Sequence, residues 1–342
     1  MEWNKNNYDE TFIGKQTIVG SLILPEDGLI LNPKELTVTI DLITENTERI
    51  FGKDRYETAL EISRRTFEES DTVILINGEA LADSPLASPL SIVLDAPILM
   101  VEKDVVSPDV EAEIERLGAD NIILIGGELV IAKTVEQDLV EKEFAVERFG
   151  GRTRHETSQL VDEKIRSITG ITDKAVITNG TATYDALVMG KAAGDLGVGI
   201  LYNDGKSNKM IQENLKQIES VILLGGTLVE AQSVEDELKA AGITVERISG
   251  STRYSTAVAV ANKFYPTSDR IIIANGVKPY DGTASAPLSA RYNAPLLLTN
   301  AKVLSTEVRL FMRGKNLTKV YILGGELAVS ETVKDALVMM LY

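Results

Sequence analysis

Residues 244–281 read TVERISGSTRYSTAVAVANKFYPTSDRIIIANGVKPYD. TVERISG is a short alternating run closed by glycine, which reads as a strand. STRYSTAVAVANKF follows with apolar residues at helical spacing, and Ser251 or Thr252 is placed to cap its start. RIIIANG is a continuous β-branched run, the mark of a strand buried on both faces. Asp281 then opens a second helix, DGTASAPLSARY. Further on, APLLLTN is another buried strand, STEVRLFMRGKN an amphipathic helix capped by Ser305, and KVYILGG a fourth strand. Ser330 caps the last helix, SETVKDALVMM, and Glu331 lies in its first turn, where the helix dipole favours an acid. The order β-α-β-α-β-α-β-α predicts an α/β fold: a parallel sheet with helices on both faces, joined by right-handed crossovers.

The same block occurs three times. ERIFGKDRYET begins at Glu48, ERFGGRTRHET at Glu147 and ERISGSTRYST at Glu246, an even spacing of 99 residues. An apolar run ending in Gly-Gly keeps step with it at Gly126–Gly127, Gly225–Gly226 and Gly324–Gly325. So does NG followed by aspartate: Asn77 to Asp83, Asn179 to Asp185 and Asn275 to Asp281. A period this regular means one module copied three times. We expect modules at 45–143, 144–242 and 243–342, each the size of a common small domain. Residues 1–44 lie outside the repeat; they alternate apolar and polar residues around PEDG and read as a small β segment or the remnant of an upstream β domain. Copy two departs from its fellows. Its third strand, GVGILYN, lacks the Ala-Pro entry of APILM and APLLL, so a looser packing is expected there.

Bulk composition narrows the function. The 342 residues are 44% hydrophobic and 25% charged, with a net charge of −16. Such a surface opposes non-specific binding to nucleic acid, and no Lys/Arg-rich run argues otherwise. There are no cysteines, which excludes disulfides, thiol nucleophiles and thiolate metal sites. No segment approaches the length of a membrane span, and the polar N-terminus is not a signal peptide. His155 is the sole histidine and stands where Tyr56 and Tyr254 stand in the other copies, so it reads as a packing or hydrogen-bonding residue rather than part of a triad or metal site.

In a parallel open sheet, ligands bind beyond the carboxyl ends of the strands. The loop FGKDR, the NG…D element and the Gly-Gly pair all fall at that edge. Two readings of each stay open. The glycines serve tight turns, or they line an anion or sugar site with free backbone N–H groups; GxGxxG and GxxxxGK[ST] are absent from these turns. The arginine pairs 49/55, 148/154 and 247/253 form internal bridges to Asp83, Asp185 and Asp281, or they meet phosphate or carboxylate on a polymer.

The combination R-[IF]-x-G-x-x-R-[YH]-x-T, then NG…D with a small-residue helix, then ILIGG, ILLGG or YILGG resembles the type-2 cell-wall-binding repeat of clostridial surface-layer and other Gram-positive wall proteins. The likeness covers about residues 45–342. It implies three Rossmann-like or Toprim-like modules packed as a pseudo-threefold trimer. It also implies an extracellular, non-catalytic anchor in the wall or S-layer that uses no cofactor or metal and grips an anionic secondary wall polysaccharide, with other S-layer proteins as further partners. The family's ILxGG element maps to Ile123, Leu124, Ile125, Gly126 and Gly127; to Ile222, Leu223, Leu224, Gly225 and Gly226; and to Ile322, Leu323, Gly324 and Gly325 after Tyr321, which departs from the usual aliphatic residue. Arg55, Arg154 and Arg253 are the candidate cationic contacts. The other readings are an enzyme acting on a sugar phosphate or nucleotide at the sheet edge, and a purely structural lattice module. A −16 protein repels an anionic polymer over a Debye length. Binding therefore requires local arginine clusters or divalent-cation bridging. Retention on wall polymer is expected to change with salt; binding equal at low and high ionic strength contradicts an electrostatic grip.

Overall fold

The computed structural model describes residues 2–3, 14–21, 36–42 and 46–341. The chain divides into two compact units, 1–46 and 47–342. In the first, β1 (Glu2–Trp3), β2 (Gly14–Ser21) and β3 (Leu36–Leu42) form an antiparallel sheet in the order β1-β2-β3, the small β segment expected there. The PEDG turn lies outside the described residues.

The second unit holds three parallel four-stranded sheets. Its strands are β4 (Thr47–Ile50), β5 (Thr72–Asn77), β6 (Ile98–Val101), β7 (Asn121–Ile125), β8 (Ala145–Phe149), β9 (Lys174–Asn179), β10 (Ile200–Asn203), β11 (Ser220–Leu224), β12 (Thr244–Ile248), β13 (Arg270–Asn275), β14 (Leu296–Thr299) and β15 (Lys319–Leu323). Sheet orders are β6-β5-β7-β8, β10-β9-β11-β12 and β14-β13-β15-β4. The central strands carry the β-branched runs because they are covered on both sides: Val73, Ile74, Leu75 and Ile76 are fully buried, as are Ile271, Ile272 and Ile273.

One expectation is corrected. The strand bearing the arginine signature does not join its own repeat. β8, which opens repeat 2, pairs with β7 of repeat 1; β12 of repeat 3 pairs with β11 of repeat 2; and β4 of repeat 1 pairs with β15 of repeat 3. The reason lies in the crossover rule. β7, the helix Lys133–Glu141 and β8 form one βαβ unit, and so do β11, Gln232–Ala240 and β12. Consecutive parallel strands joined by a helix pair side by side, whereas the repeat boundary at Glu147 or Glu246 cuts that unit in two. β4, from the start of the unit, pairs along the other edge of β15, with Val320 opposite Thr47 and Leu323 opposite Ile50. The ring of modules is closed by chain exchange.

The small-residue helices explain themselves at the centre. Ala87–Leu94, Thr183–Asp195 and Ala286–Tyr292 pack against one another, one from each module. Their backbones approach too closely for side chains: a Cβ at Gly190 would lie 2.3 Å from Ser88 Cβ, and one at Gly194 would lie 2.5 Å from Ile92 Cβ. The core cluster here draws Leu86 and Leu90, Ala186 and Met189, Ala284 and Leu288 from the three repeats.

Repeat 2 departs from its fellows more in the next connection than in its third strand. Pro108–Leu117 and Thr306–Arg313 are helices, but the corresponding stretch of repeat 2 keeps only the 3-10 turn Lys209–Ile211. A groove of about 580 Å³ remains beside it. Glycine in a helix interior costs about 1 kcal/mol relative to alanine, so Gly190→Ala at an open site would stabilise. Here it is expected to lower the melting temperature, because Ser88 occupies the space. A raised melting temperature would contradict the three-helix contact.

Candidate functional site

In each sheet the NG strand lies near the centre, with the next strand in sequence on one side and the Gly-Gly strand on the other. The strand order therefore reverses between β5 and β7, between β9 and β11, and between β13 and β15. Ligands bind at such a switch point, beyond the strands' carboxyl ends. NG ends the first strand of each pair and Gly-Gly follows the second, so the two motifs meet there. The asparagine ties them together. Asn77 Nδ2 donates to Val130 O at 2.6 Å, Asn179 Nδ2 to Val229 O at 3.0 Å and Asn275 Nδ2 to Ala328 O at 2.8 Å.

The two arginines of each signature have different work. The first grips the Gly-Gly turn of the preceding repeat. Arg148 Nη1 donates to Gly126 O and Ile131 O, each at 2.9 Å, while its Nε meets Glu136 at 2.7 Å. Arg247 repeats this on Gly225 O at 2.8 Å, Glu230 O at 2.9 Å and Glu235 at 2.8 Å. Arg49 holds Gly324 O at 2.9 Å and Glu331 at 2.8 Å. The internal bridge anticipated from sequence thus exists, but its acid is the glutamate of the following helix, not Asp83, Asp185 or Asp281. Gly126, Gly225 and Gly324 adopt φ of 121°, 109° and 89°, which only glycine takes readily, and a Cβ on Gly324 would meet the Asp281 carboxylate at 2.4 Å.

The second arginine reaches the NG loop of its own repeat. Arg55 donates to Gly78 O at 2.9 Å, Arg154 to Gly180 O at 2.9 Å and Arg253 to Gly276 O at 2.8 Å. Two of the three also sit over a tyrosine ring of the preceding module: Arg55 over Tyr280, its Cζ 3.7 Å from the ring centroid, and Arg253 over Tyr184 at 3.6 Å. The position equivalent to these tyrosines in repeat 1 is Ala82.

Three open clefts result, each walled by two repeats. The cleft between repeats 1 and 2 measures about 870 Å³ and is lined by Asp83, Gly127, Leu129, Arg148, Arg152 and Arg154, among others. That between repeats 3 and 1 measures about 700 Å³ and includes Arg55, Tyr280, Asp281, Gly325 and Leu327. That between repeats 2 and 3 measures about 320 Å³ and includes Tyr184, Asp185, Gly226, Leu228 and Arg253. At each rim a leucine two residues past the Gly-Gly pair stands in water: Leu129 is 87% exposed, Leu228 102% and Leu327 98%. A single exposed leucine is ordinary; the same one in three symmetry-related turns is a feature of the module.

Each residue assigned to the site from sequence has a clear place. Arg55, Arg154 and Arg253 line the three clefts, and so do Gly127, Gly226 and Gly325. The apolar members Ile123, Leu124, Ile125, Leu223, Leu224, Ile322 and Leu323 are buried in β7, β11 and β15, with Ile222 half-buried, and they position the turn from behind. Tyr321 is buried as well, stacked on Tyr292 at 4.6 Å. His155 packs against Gly180, its Nε2 3.1 Å from Asn203 O. Sequence reading missed the leucine tips and Tyr184 and Tyr280. The recurrence of Leu after Gly-Gly was a visible signal for the former. Among the described residues no group of three or more His, Cys, Asp or Glu is placed to hold a metal ion, and no helix is long and apolar enough to cross a membrane.

Burial raises the carboxyl pKa of Asp83 and Asp281, and that of Asp185 to about 6, against the pull of the nearby arginines. Repeat 2 adds another buried acid just past its Gly-Gly turn. Glu230 stands where Ile131 and Val329 stand elsewhere, and its Oε2 accepts from Asn203 Nδ2 at 3.1 Å. Burial pushes Glu230 up to about 7; Asn203 and Arg247 oppose this, while Asp204 and Asp185 add to it. An acid raised in the folded state binds its proton more tightly there than in the unfolded chain. Its stabilising contribution is complete below the unfolded pKa near 4.5 and is lost as pH rises through about 7. Glu230→Gln is therefore expected to remove about 1–3 kcal/mol of the stability change between pH 4.5 and 8, read as a flatter melting-temperature profile. An unchanged profile contradicts the assignment. The arginines make a second test. Arg148→Ala strands the Gly126 and Ile131 carbonyls at about 1–3 kcal/mol each, so it is expected to lower the melting temperature more than Arg154→Ala; equal losses would contradict the division of roles.

Comparison with known proteins agrees with this architecture. The chain is 29% identical over 305 residues to N-acetylmuramoyl-L-alanine amidase LytC of Bacillus subtilis, covering 88% of this chain and 60% of that protein. It is 30% identical over 291 residues to the amidase enhancer of the same organism, covering 85% of this chain and 40% of that protein. Among solved structures, Cwp6 from Clostridium difficile superposes with a TM-score of 0.77 at 27% identity, covering 90% of this chain and 49% of that one. Cwp8 from the same organism superposes at 0.78 and 24% identity, covering 99% and 61%, and shows the shared fold. The chain thus spans less than two thirds of each of these relatives. Cell wall binding domain 2 (CWB2) matches three times, at 49–136, 148–235 and 247–334, each match opening on the arginine that clamps a neighbour's Gly-Gly turn, and the chain belongs to that family.

Proposed function

We propose that the chain is a non-catalytic anchor that holds a surface protein on a Gram-positive cell wall by gripping an anionic secondary wall polysaccharide through its three junction clefts. One observation carries this reading: the same cleft, at the same switch point, is built three times from two repeats each, with an arginine at its base and a water-exposed leucine at its rim. Leucine is suited to the C–H face of a sugar ring, and arginine to a phosphate or carboxylate between rings. Three weak sites on one rigid ring raise one another's effective concentration along a polymer, so retention exceeds single-site affinity. An enzyme acting on a sugar phosphate is the other reading. It requires one copy to present distinctive polar groups at the cleft, whereas the distinctive groups of repeat 2, Asn203 and Glu230, are buried. A purely lattice-forming role leaves the three water-exposed cleft leucines without a purpose. Other surface proteins are proposed as neighbours in the wall.

The test uses the full chain on purified wall, before and after chemical removal of its secondary polysaccharide. Retention is expected to be lost on stripped peptidoglycan, and equal retention overturns the ligand class. Changing Leu129, Leu228 and Leu327 together to serine is expected to leave the melting temperature nearly unchanged and to cut wall retention by about tenfold or more. Unchanged retention removes the clefts from the reading.

A further inference from the structure

The three clefts are not equivalent. Between repeats 3 and 1 the lining carries Lys53, Arg55 and Lys278 against Asp54, Asp281 and Glu326, and between repeats 2 and 3 it carries Arg253 against Asp185. Both balance. Between repeats 1 and 2, Arg148 is engaged by Glu136, and Arg152 and Arg154 stand against Asp83 and Glu128, so this cleft balances as well. It is the largest of the three.

The same cleft differs at two further points. With Ala82 in the tyrosine position, Arg154 has no ring laid on its guanidinium, while Arg55 and Arg253 do. Arg154 lines the cleft and donates from Nη1 to Gly180 O, and among the described residues no hydrogen bond engages its Nε or Nη2. Asp83, 6% exposed, lines the cleft floor, and its buried Oδ1 has no hydrogen-bond partner. An unmet buried acceptor costs free energy, and a donor supplied by a ligand removes that cost. Arg152 is exposed at the rim and shares a 3.3 Å contact with Glu156.

We propose that the cleft between repeats 1 and 2 is the anion subsite of the ring: Arg154, helped by Arg152, takes the phosphate or carboxylate of an acidic glycan, Asp83 accepts a hydroxyl of the adjoining sugar, and the two tyrosine-covered clefts take neutral stretches of the same chain. This deepens the wall-polysaccharide reading and rests on it for the identity of the polymer. Ala82 is the specificity-determining residue, because a tyrosine there would cover the guanidinium as Tyr184 and Tyr280 do.

The full chain labelled with ¹⁵N is titrated separately with glucose 1-phosphate, glucuronate and methyl glucoside, and the amides of residues 127–130 and 150–155 and Arg154 Nε–Hε are followed by NMR. Saturable shifts confined to this cleft are expected with an anionic probe and not with methyl glucoside at the same concentration. A response to glucose 1-phosphate alone identifies phosphate as the group taken, and a response to glucuronate alone identifies carboxylate. Ala82→Tyr is expected to weaken the response about tenfold without lowering the melting temperature, and Arg154→Gln to weaken it at least as much. Equal shifts in all three clefts, an unchanged affinity in Ala82→Tyr, or no saturable shift with either anion up to about 50 mM overturns the proposal. If the chain stays on intact wall while these titrations fail, only the anion subsite falls. If the chain does not bind wall while an Ala82→Tyr-sensitive anion response persists, the subsite stands and the wall reading falls.

Discussion

Everything distinctive about this molecule depends on one pairing: the strand carrying the arginine signature lies against the Gly-Gly strand of the repeat before it. That pairing places the first arginine beside a turn that ends in unsatisfied carbonyls. Arg49, Arg148 and Arg247 meet those carbonyls and a helix glutamate at once. A guanidinium held this way presents a rigid fork on two fixed acceptors, which lysine could not do. Because β4 completes the sheet of the last repeat, the exchange closes on itself and every Gly-Gly strand of the ring is covered.

Closure has a cost at the centre. Three helices must converge where three modules meet, and helices approach closely only when their facing residues are small. Ser88, Gly190, Gly194 and Ala286 supply that condition. The small-residue helix and the arginine strand, distant in sequence, therefore answer to the same geometry. The cleft is a by-product of both, since each lies where one repeat's loop is laid over its neighbour's sheet edge.

Much of this was legible from sequence. The β-α alternation, the capping roles of Thr252, Ser305 and Ser330, and the position of the motifs at the sheet edge all follow from local pattern, and the structure agrees with each. The destination of the first strand was not legible, because a repeat in sequence has no mark showing where a βαβ unit begins. The partners of the first arginine in each signature were missed for the same reason: the carbonyls and glutamates it binds belong to another repeat, or for Arg49 to the far end of the chain. The apolar ILI, ILL and YIL stretches recur as clearly as the glycines after them, yet they are core, and recurrence alone cannot separate a buried support from a contact. Leu129, Leu228 and Leu327 present the opposite case, since an exposed leucine looks like a core leucine until the turn is built. Glu230, a charge in a slot that holds Ile131 or Val329 elsewhere, signalled only that repeat 2 differs.

The proposed function rests on threefold repetition of one partly polar cleft around the ring, a form suited to a repeating polymer. Hydrogen exchange on the full chain, with and without purified secondary wall polysaccharide, tests this most directly. The account predicts that protection rises together in the three Gly-Gly turns and in the loops 51–54, 150–153 and 249–252 that face them. Protection confined to the outer helices, or to one module's surface away from its junction, would contradict it.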